Sequence, residues 1–239
     1  MSVDMAEVRV IVGVPPERNI PEPVWWHFLA IAQRGYPFIR IPPVRIDLAR
    51  NLFGVHFVRT CEAQNVANTP AYTHLVMLDM DHAHWPNVIE KLRARVAEDP
   101  SRLVVSGTYF RRCEPHDPNG WIVDAAGHFS NPLETTPGVY RRDRLGLGCV
   151  IIAREVFERI PPPWFQFTYD ATNWERGFDG HGEDIFFTDQ CSRHGIACWQ
   201  DVGIESPHLV NGWVTRETYL KFIQEHPEQF EDVPAEREV

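Results

Sequence analysis

Thr73-His74-Leu75-Val76-Met77-Leu78-Asp79-Met80-Asp81 is the stretch on which the reading of this chain turns. Its apolar run is short and unbroken by polar alternation, as expected of a strand buried on both faces, and such strands belong to parallel sheets. Asp79 and Asp81 close it. In open α/β sheets ligands bind outside the carboxyl ends of the strands, so two carboxylates at i and i+2 there make a hard-oxygen site for Mg²⁺ or Mn²⁺. The same triplet also suits a solvated turn. The apolar strand before it and a helix beginning at Pro86 favour the site.

Working outward, Val8-Arg9-Val10-Ile11-Val12-Gly13-Val14 is a β-branched run closed by Pro15-Pro16, a second buried strand. Pro23 starts a helix over Val24 to Gln33 that stops at Gly35, and Ile46 to Arg59 reads as another, with Leu48, Leu52, Val55 and Val58 at helical spacing. Downstream, the Pro86 helix runs to about Ala97 and Leu103 to Gly107 forms the next strand. Three strand–helix units in succession predict an α/β fold: a mostly parallel, Rossmann-like sheet flanked by helices. Residues 111–145 interrupt it as a long central excursion, with a hairpin expected between Trp121-Ile122-Val123 and Gly138-Val139-Tyr140. Gly148 to Ala153 is a strand leading into the helix Arg154 to Arg159, which Pro161-Pro162-Pro163 ends. A last helix, about Glu183 to His194, precedes the strand Ala197-Cys198-Trp199. The acidic tail, residues 227–239, reads as a loose terminus.

Composition sets outer limits. At 239 residues the chain can bury a continuous core without disulfides. Its five cysteines are scattered, with no C-x-x-C pair, which predicts free thiols in a reducing cytosol. No stretch reaches the roughly 20 apolar residues of a membrane span, and the N-terminus carries acidic residues where a signal peptide has basic ones. A cytoplasmic protein with no membrane partner is expected. The net charge of −10 repels nucleic acid, with Arg111, Arg112, Arg141, Arg142 and Arg144 as the local exception.

Further candidates each carry two readings. Gly182-Glu183-Asp184 opens a helix: its carboxylates either complement the helix dipole, or one is a general base for an acceptor hydroxyl. His208, after a late strand, is either a neutral nitrogen ligand beside the two aspartates or an ordinary polar residue among eleven histidines. His82 and His84 follow the aspartates closely, as supporting groups or as exposed residues. Arg50, within Ala49-Arg50-Asn51, either supports phosphate or carboxylate groups or makes a surface ion pair.

In this order the elements resemble the GT-A-fold glycosyltransferases, most closely the family 2-like enzymes of bacteria and phages. The resemblance runs from Val8 to His208. Its matching pieces are Gly13-Val14-Pro15, Ala49-Arg50-Asn51, Thr73 to Asp81 with Pro86 beyond, Ser106 to Arg112, Gly146 to Ile160, Pro163-Trp164-Phe165, Gly182 to Phe187 with Gly195, and His208. It implies one glycosyltransferase domain over residues 1–239, with a nucleotide-sugar and metal half at about 1–110 and an acceptor half at about 111–210. The donor would be a nucleotide-diphosphate sugar, a UDP-sugar in first place. Mn²⁺ or Mg²⁺ would sit on Asp79, Asp81 and His208. Pro15, Glu17, Arg50 and Gly148 would lie near the donor, although Gly148 equally suits a tight turn. Asp184, or its neighbour Glu183, would be the base of an inverting single displacement. Trp164, Phe165, Trp174 and Arg111 would face the acceptor, although the aromatics suit a core equally well.

Rival readings remain. A nucleotidyltransferase shares such a sheet, but the glycines of its basic loop are missing from Val14-Pro15-Pro16-Glu17-Arg18. A sugar- or nucleotide-binding protein with a decayed site is opposed by the full set Asp79, Asp81, Asp184 and His208. The acceptor is a glycan, protein, lipid or modified DNA base. The chain's negative charge disfavours DNA, because phosphate contacts dominate affinity for it.

Overall fold

A computed structural model describes residues 3–16, 20–132, 134, 136–170, 179–210 and 212–229. The strands are β1 (Val10–Gly13), β2 (Phe38–Ile39), β3 (His74–Leu78), β4 (Val104–Thr108), β5 (Gly120–Val123), β6 (Phe129–Ser130), β7 (Val139–Arg142), β8 (Arg144–Leu145), β9 (Cys149–Ala153), β10 (Thr168–Asp170), β11 (Asp179–His181), β12 (Cys198–Glu205), β13 (His208–Leu209) and β14 (Trp213–Val214). The helices are α1 (Glu22–Ala32), α2 (Ile46–Val66), α3 (Val88–Glu98), α4 (Arg154–Arg159), α5 (Glu183–Arg193) and α6 (Arg216–Glu225).

Seven strands form the main sheet in the order β2-β1-β3-β9-β4-β12-β7. β1, β2, β3, β4 and β12 run parallel, and β9 and β7 run against them. The expected mostly parallel α/β sheet is present. The apolar runs are unbroken because each strand feeds two cores. In β3, Leu75 and Met77 face the layer of α2, α4 and α5, packing with Phe53, Phe57, Phe157 and Phe187. Val76 and Leu78 face α1 and α3, packing with Phe28, Ile31, Ile89 and Leu92. This is the period-2 alternation of a strand with no solvent face.

Two expectations are corrected. α2 extends to Val66, and of Leu48, Leu52, Val55 and Val58 only Val55 and Val58 pack against the core, half-buried beside its fully buried face. Leu48 is 48% exposed, whereas Ala49, Phe53, Phe57 and Cys61 are buried. Those residues repeat every four positions and so form one stripe. The excursion also contains no hairpin between Trp121 and Val139. β5 instead pairs with β6 and β8, while β7 joins the edge of the main sheet against β12. Both edges of β5 are taken, by β6 and β8, and Val139 to Arg142 pairs instead with Cys198 to Asp201 of β12.

α2 also explains Ala49-Arg50-Asn51. Ala49 packs in the core, Arg50 points to the carboxyl ends of the strands, and Asn51 clamps the chain that follows α4. Asn51 Nδ2 donates to the carbonyls of Asp47 (2.8 Å) and Phe165 (2.6 Å), and its Oδ1 accepts from the amides of Trp164 (2.9 Å) and Phe165 (3.3 Å). Asn51→Ala strands these backbone groups and should cost about 1–3 kcal/mol, read by denaturant unfolding. Asn51→Asp should restore part of it, because the acceptor half of the clamp survives.

Candidate functional site

The site lies where β3, β4 and β12 end. β9 enters here from the opposite direction, so Gly148 sits beside Asp79, whose amide donates to the Gly148 carbonyl at 2.8 Å. A side chain at Gly148 would collide with His82 Cε1 (2.9 Å), Asp79 Oδ2 (3.1 Å) and Tyr109 Cε1 (3.2 Å). Glycine is required there by the close passage of the site's own residues.

Arg50 is the buried cation of the site, 3% exposed. Its Nη2 donates to Asp79 Oδ2 at 3.0 Å and Oδ1 at 3.2 Å, and its Nη1 forms an ion pair with Glu183 Oε1 at 3.0 Å. Burial alone would raise the Asp79 carboxyl, but the Arg50 guanidinium outweighs it and holds it below the ordinary aspartate range. Asp184 and Glu183 differ. For both, burial dominates and pushes the carboxyl up, with Arg50 offsetting only part. Asp184 Oδ1 also accepts from the Ile185 amide at 2.8 Å, so it serves the first turn of α5 as well.

Asp81 and His208 come together through chain pairing. Segment 81–84 runs beside 207–209: the Ala83 amide donates to Pro207 O and the Leu209 amide to Asp81 O, both at 2.8 Å. His208 Nδ1 donates to the Phe110 carbonyl at 2.9 Å. That fixes the neutral tautomer and leaves a lone pair on Nε2, which lies 3.2 Å from Asp81 Oδ2. Burial lowers the His208 pKa, which keeps the ring neutral. Two acceptors this close, with no proton between them, repel unless a cation bridges them. Here the Arg112 guanidinium bridges, its Nε donating to His208 Nε2 at 2.8 Å and its Nη2 contacting Asp81 Oδ2. The donor set, a carboxylate oxygen and an imidazole nitrogen, therefore fits a divalent ion and already draws a positive charge.

His82 joins this group. Its Nδ1 lies 2.8 Å from Asp81 Oδ1 without the alignment of a hydrogen bond, and both ring nitrogens are otherwise unpartnered. Asp81, His82 and His208 thus offer three ligand atoms within 4.8 Å of one another. The His82 and His208 rings, however, stack at 4.1 Å with 17° between their planes. Asp81 and His208 would hold an ion there, with His82 stacked behind the His208 ring. Burial takes His82 and His84 down to about 3, so both stay uncharged. His84 buttresses the aspartate loop, through Ser206 Oγ at 3.0 Å and the Asp79 carbonyl at 2.9 Å.

Among the residues expected from sequence, the structure gathers Arg50, Asp79, Asp81, Gly148, Glu183, Asp184 and His208. Pro15 is buried just beyond β1. Glu17 and Trp174 lie outside the described residues. Trp164 and Phe165 are core side chains, 5% and 1% exposed, with Phe165 stacked on Phe187. They present no open face to an acceptor. On the loop after β4 Arg111 pairs with Asp117 and Arg112 with Asp81; elsewhere Arg142 of β7 pairs with Glu134 and Arg144 of β8 with Asp189 of α5. Sequence reasoning gave no site role to Arg112 or Tyr109. The one signal near them was Arg111-Arg112 directly after a central strand, where a side chain reaches the sheet's carboxyl edge.

No protein-family model matches the sequence, and no curated protein sequence matches it. Solved structures do share its fold. A197 from STIV matches at 19% identity over 84% of this chain and 86% of its own, with a TM-score of 0.58. Less similar are GalNAc-T7 with UDP, GalNAc and Mn²⁺ (14% identity, 91% of this chain and 42% of that one, TM-score 0.47) and CMP:2-keto-3-deoxy-manno-octonic acid synthetase complexed with CTP (14%, 93% and 98%, TM-score 0.39). At these identities the likeness is one of fold: a mixed α/β sheet flanked by helices, shared across nearly the whole of both A197 and this chain.

Proposed function

We propose that the chain is a metal-dependent glycosyltransferase that moves a sugar from a nucleotide-diphosphate sugar to an acceptor hydroxyl, inverting by single displacement with Asp184 as base. The observation that carries the reading is the pairing, at one sheet edge, of a cation site with a buried carboxylate of raised pKa. Asp81 and His208 would hold Mn²⁺ or Mg²⁺, with Asp79 fixed alongside by Arg50. The ion would supply positive charge where a diphosphate departs. Asp184 removes the acceptor hydroxyl proton as the oxygen bonds to the anomeric carbon and the sugar–diphosphate bond breaks. Desolvation makes its carboxylate a stronger base than a solvated one. Arg50 keeps Asp79 charged and holds Glu183 away from that proton. In this reading residues 1–110 carry the donor and 111–210 the acceptor. Carboxylate pairing of Arg111, Arg112, Arg142 and Arg144 favours a glycan, protein or lipid acceptor over DNA. No helix among the described residues is long and apolar enough to cross a membrane.

The test is nucleotide release from UDP-, GDP- and dTDP-sugars with Mn²⁺, with and without EDTA. Release from one donor, UDP-sugars first, should depend on metal and fall in Asp81→Ala to the EDTA level. If no donor is hydrolysed and none shifts the melting temperature, the donor reading is wrong.

A further inference from the structure

The bridge at Asp81 and His208 is made by the chain itself, and it uses the atoms a metal ion would need. His208 Nε2 has one lone pair, because Nδ1 is committed to the Phe110 carbonyl. That lone pair accepts the Arg112 Nε–H, and Asp81 Oδ2 accepts from the same guanidinium. Neither atom can bind a divalent ion in the same direction at the same time. Arg112 is also free to leave: its side chain is 57% exposed, against 3% for Arg50. Arg50 is built in, whereas Arg112 is held, among the described residues, by its contacts to Asp81 and His208 at the mouth.

We propose that Arg112 is an internal competitor for the cation site: it holds Asp81 and His208 together in the metal-free protein and must swing out for a divalent ion to bind, so it sets the metal affinity. The proposal rests on Asp81 and His208 being the cation ligands. Physically, the guanidinium cancels the repulsion of two converging acceptors and keeps them at ligand spacing. Metal binding is then an exchange of one cation for another, and its apparent affinity is reduced by the fraction of molecules in which Arg112 is docked. A charge-assisted contact of this kind is worth enough to make that fraction large.

The experiment is Mn²⁺ titration of the full chain without donor, by calorimetry and by the electron paramagnetic resonance signal of free Mn²⁺. Arg112→Gln should bind Mn²⁺ about tenfold more tightly or better, the loss of one charged hydrogen-bonded competitor. Arg112→Lys, which keeps the charge but cannot span both acceptors, should fall between. In EDTA the Arg112→Gln protein should melt lower than wild type, and its melting temperature should rise more on adding Mn²⁺. Equal or weaker Mn²⁺ binding by Arg112→Gln overturns the proposal while leaving the cation site standing. Mn²⁺ binding by neither protein overturns both, and Arg112 would then be the site's own cation. His208→Ala, which removes the lone pair, should abolish binding in either background.

Discussion

Arg50→Met is expected to cost the fold about 3–5 kcal/mol at neutral pH, the penalty for leaving buried charge without its partner. Arg50 is the cation facing Asp79 and Glu183 and also acts on Asp184 from close by. Its removal leaves three neighbouring carboxylates in a desolvated corner. The loss should shrink as pH falls through the carboxylate range, because the stranded groups take up protons and cease to repel. That sign separates the charge effect from lost packing, which does not depend on pH. Arg50→Met with Glu183→Gln should be more stable than Arg50→Met alone at neutral pH, since one unpaired charge is gone. Arg50→Lys keeps a charge but not the fork that spans two carboxylates, and should recover only part. Denaturant unfolding at neutral and mildly acidic pH reads all of these. A loss that is the same at both pH values would mean that Arg50 contributes by packing.

The second large effect is in activity. Asp184→Asn should lower sugar transfer by about 10²- to 10⁴-fold, the range for a lost general base. The same substitution should leave the fold as stable as wild type at neutral pH, or make it more stable. The sign follows from the raised pKa. A carboxyl that is harder to ionise folded than unfolded contributes its stability at low pH and loses it as pH rises through the folded pKa. Ionising Asp184 in the folded state is therefore a cost, and asparagine removes it. The stability difference between variant and wild type should vanish below the ordinary aspartate range, where both side chains are neutral. In the wild type the acid limb of the rate profile should lie above that range, and in the variant it should be absent. An unchanged rate in Asp184→Asn would transfer the base role to Glu183, its neighbour on α5, which burial raises in the same direction.

Stability and function thus pull apart within one cluster. Asp79 is stabilised as an anion because Arg50 was placed for it; Asp184 is left under-compensated, which is what a base needs. The Asn51 clamp belongs to the same economy of placement. One helical turn of α2 fixes the core through Ala49, the site through Arg50 and the 164–165 segment through Asn51.

The sheet is legible in the residues alone, because a strand buried on both faces is written as an unbroken apolar run, as in Leu75 to Leu78 and Cys149 to Ala153. The sequence also placed Asp79 and Asp81 at a carboxyl end, where ligands bind, and set Arg50 and Asp184 on helices entering that end. Tertiary structure decided what local pattern does not encode. The direction of β9 is one example, since an apolar run reads the same in a parallel or antiparallel neighbour. The deepest face of α2 is another: Leu48, Leu52, Val55 and Val58 keep helical spacing, but packing buries Ala49, Phe53, Phe57 and Cys61 fully, with Val55 and Val58 half-buried beside them. Trp164 and Phe165 carry the same aromatic surface whether they stack on a sugar or fill a core, and the Asn51 clamp together with the rings of Phe157 and Phe187 holds them inward. Arg112 was one of several arginines in a poorly periodic excursion. Its contact with Asp81 and His208 spans 31 and 96 residues of chain, a proximity that long-range folding alone creates.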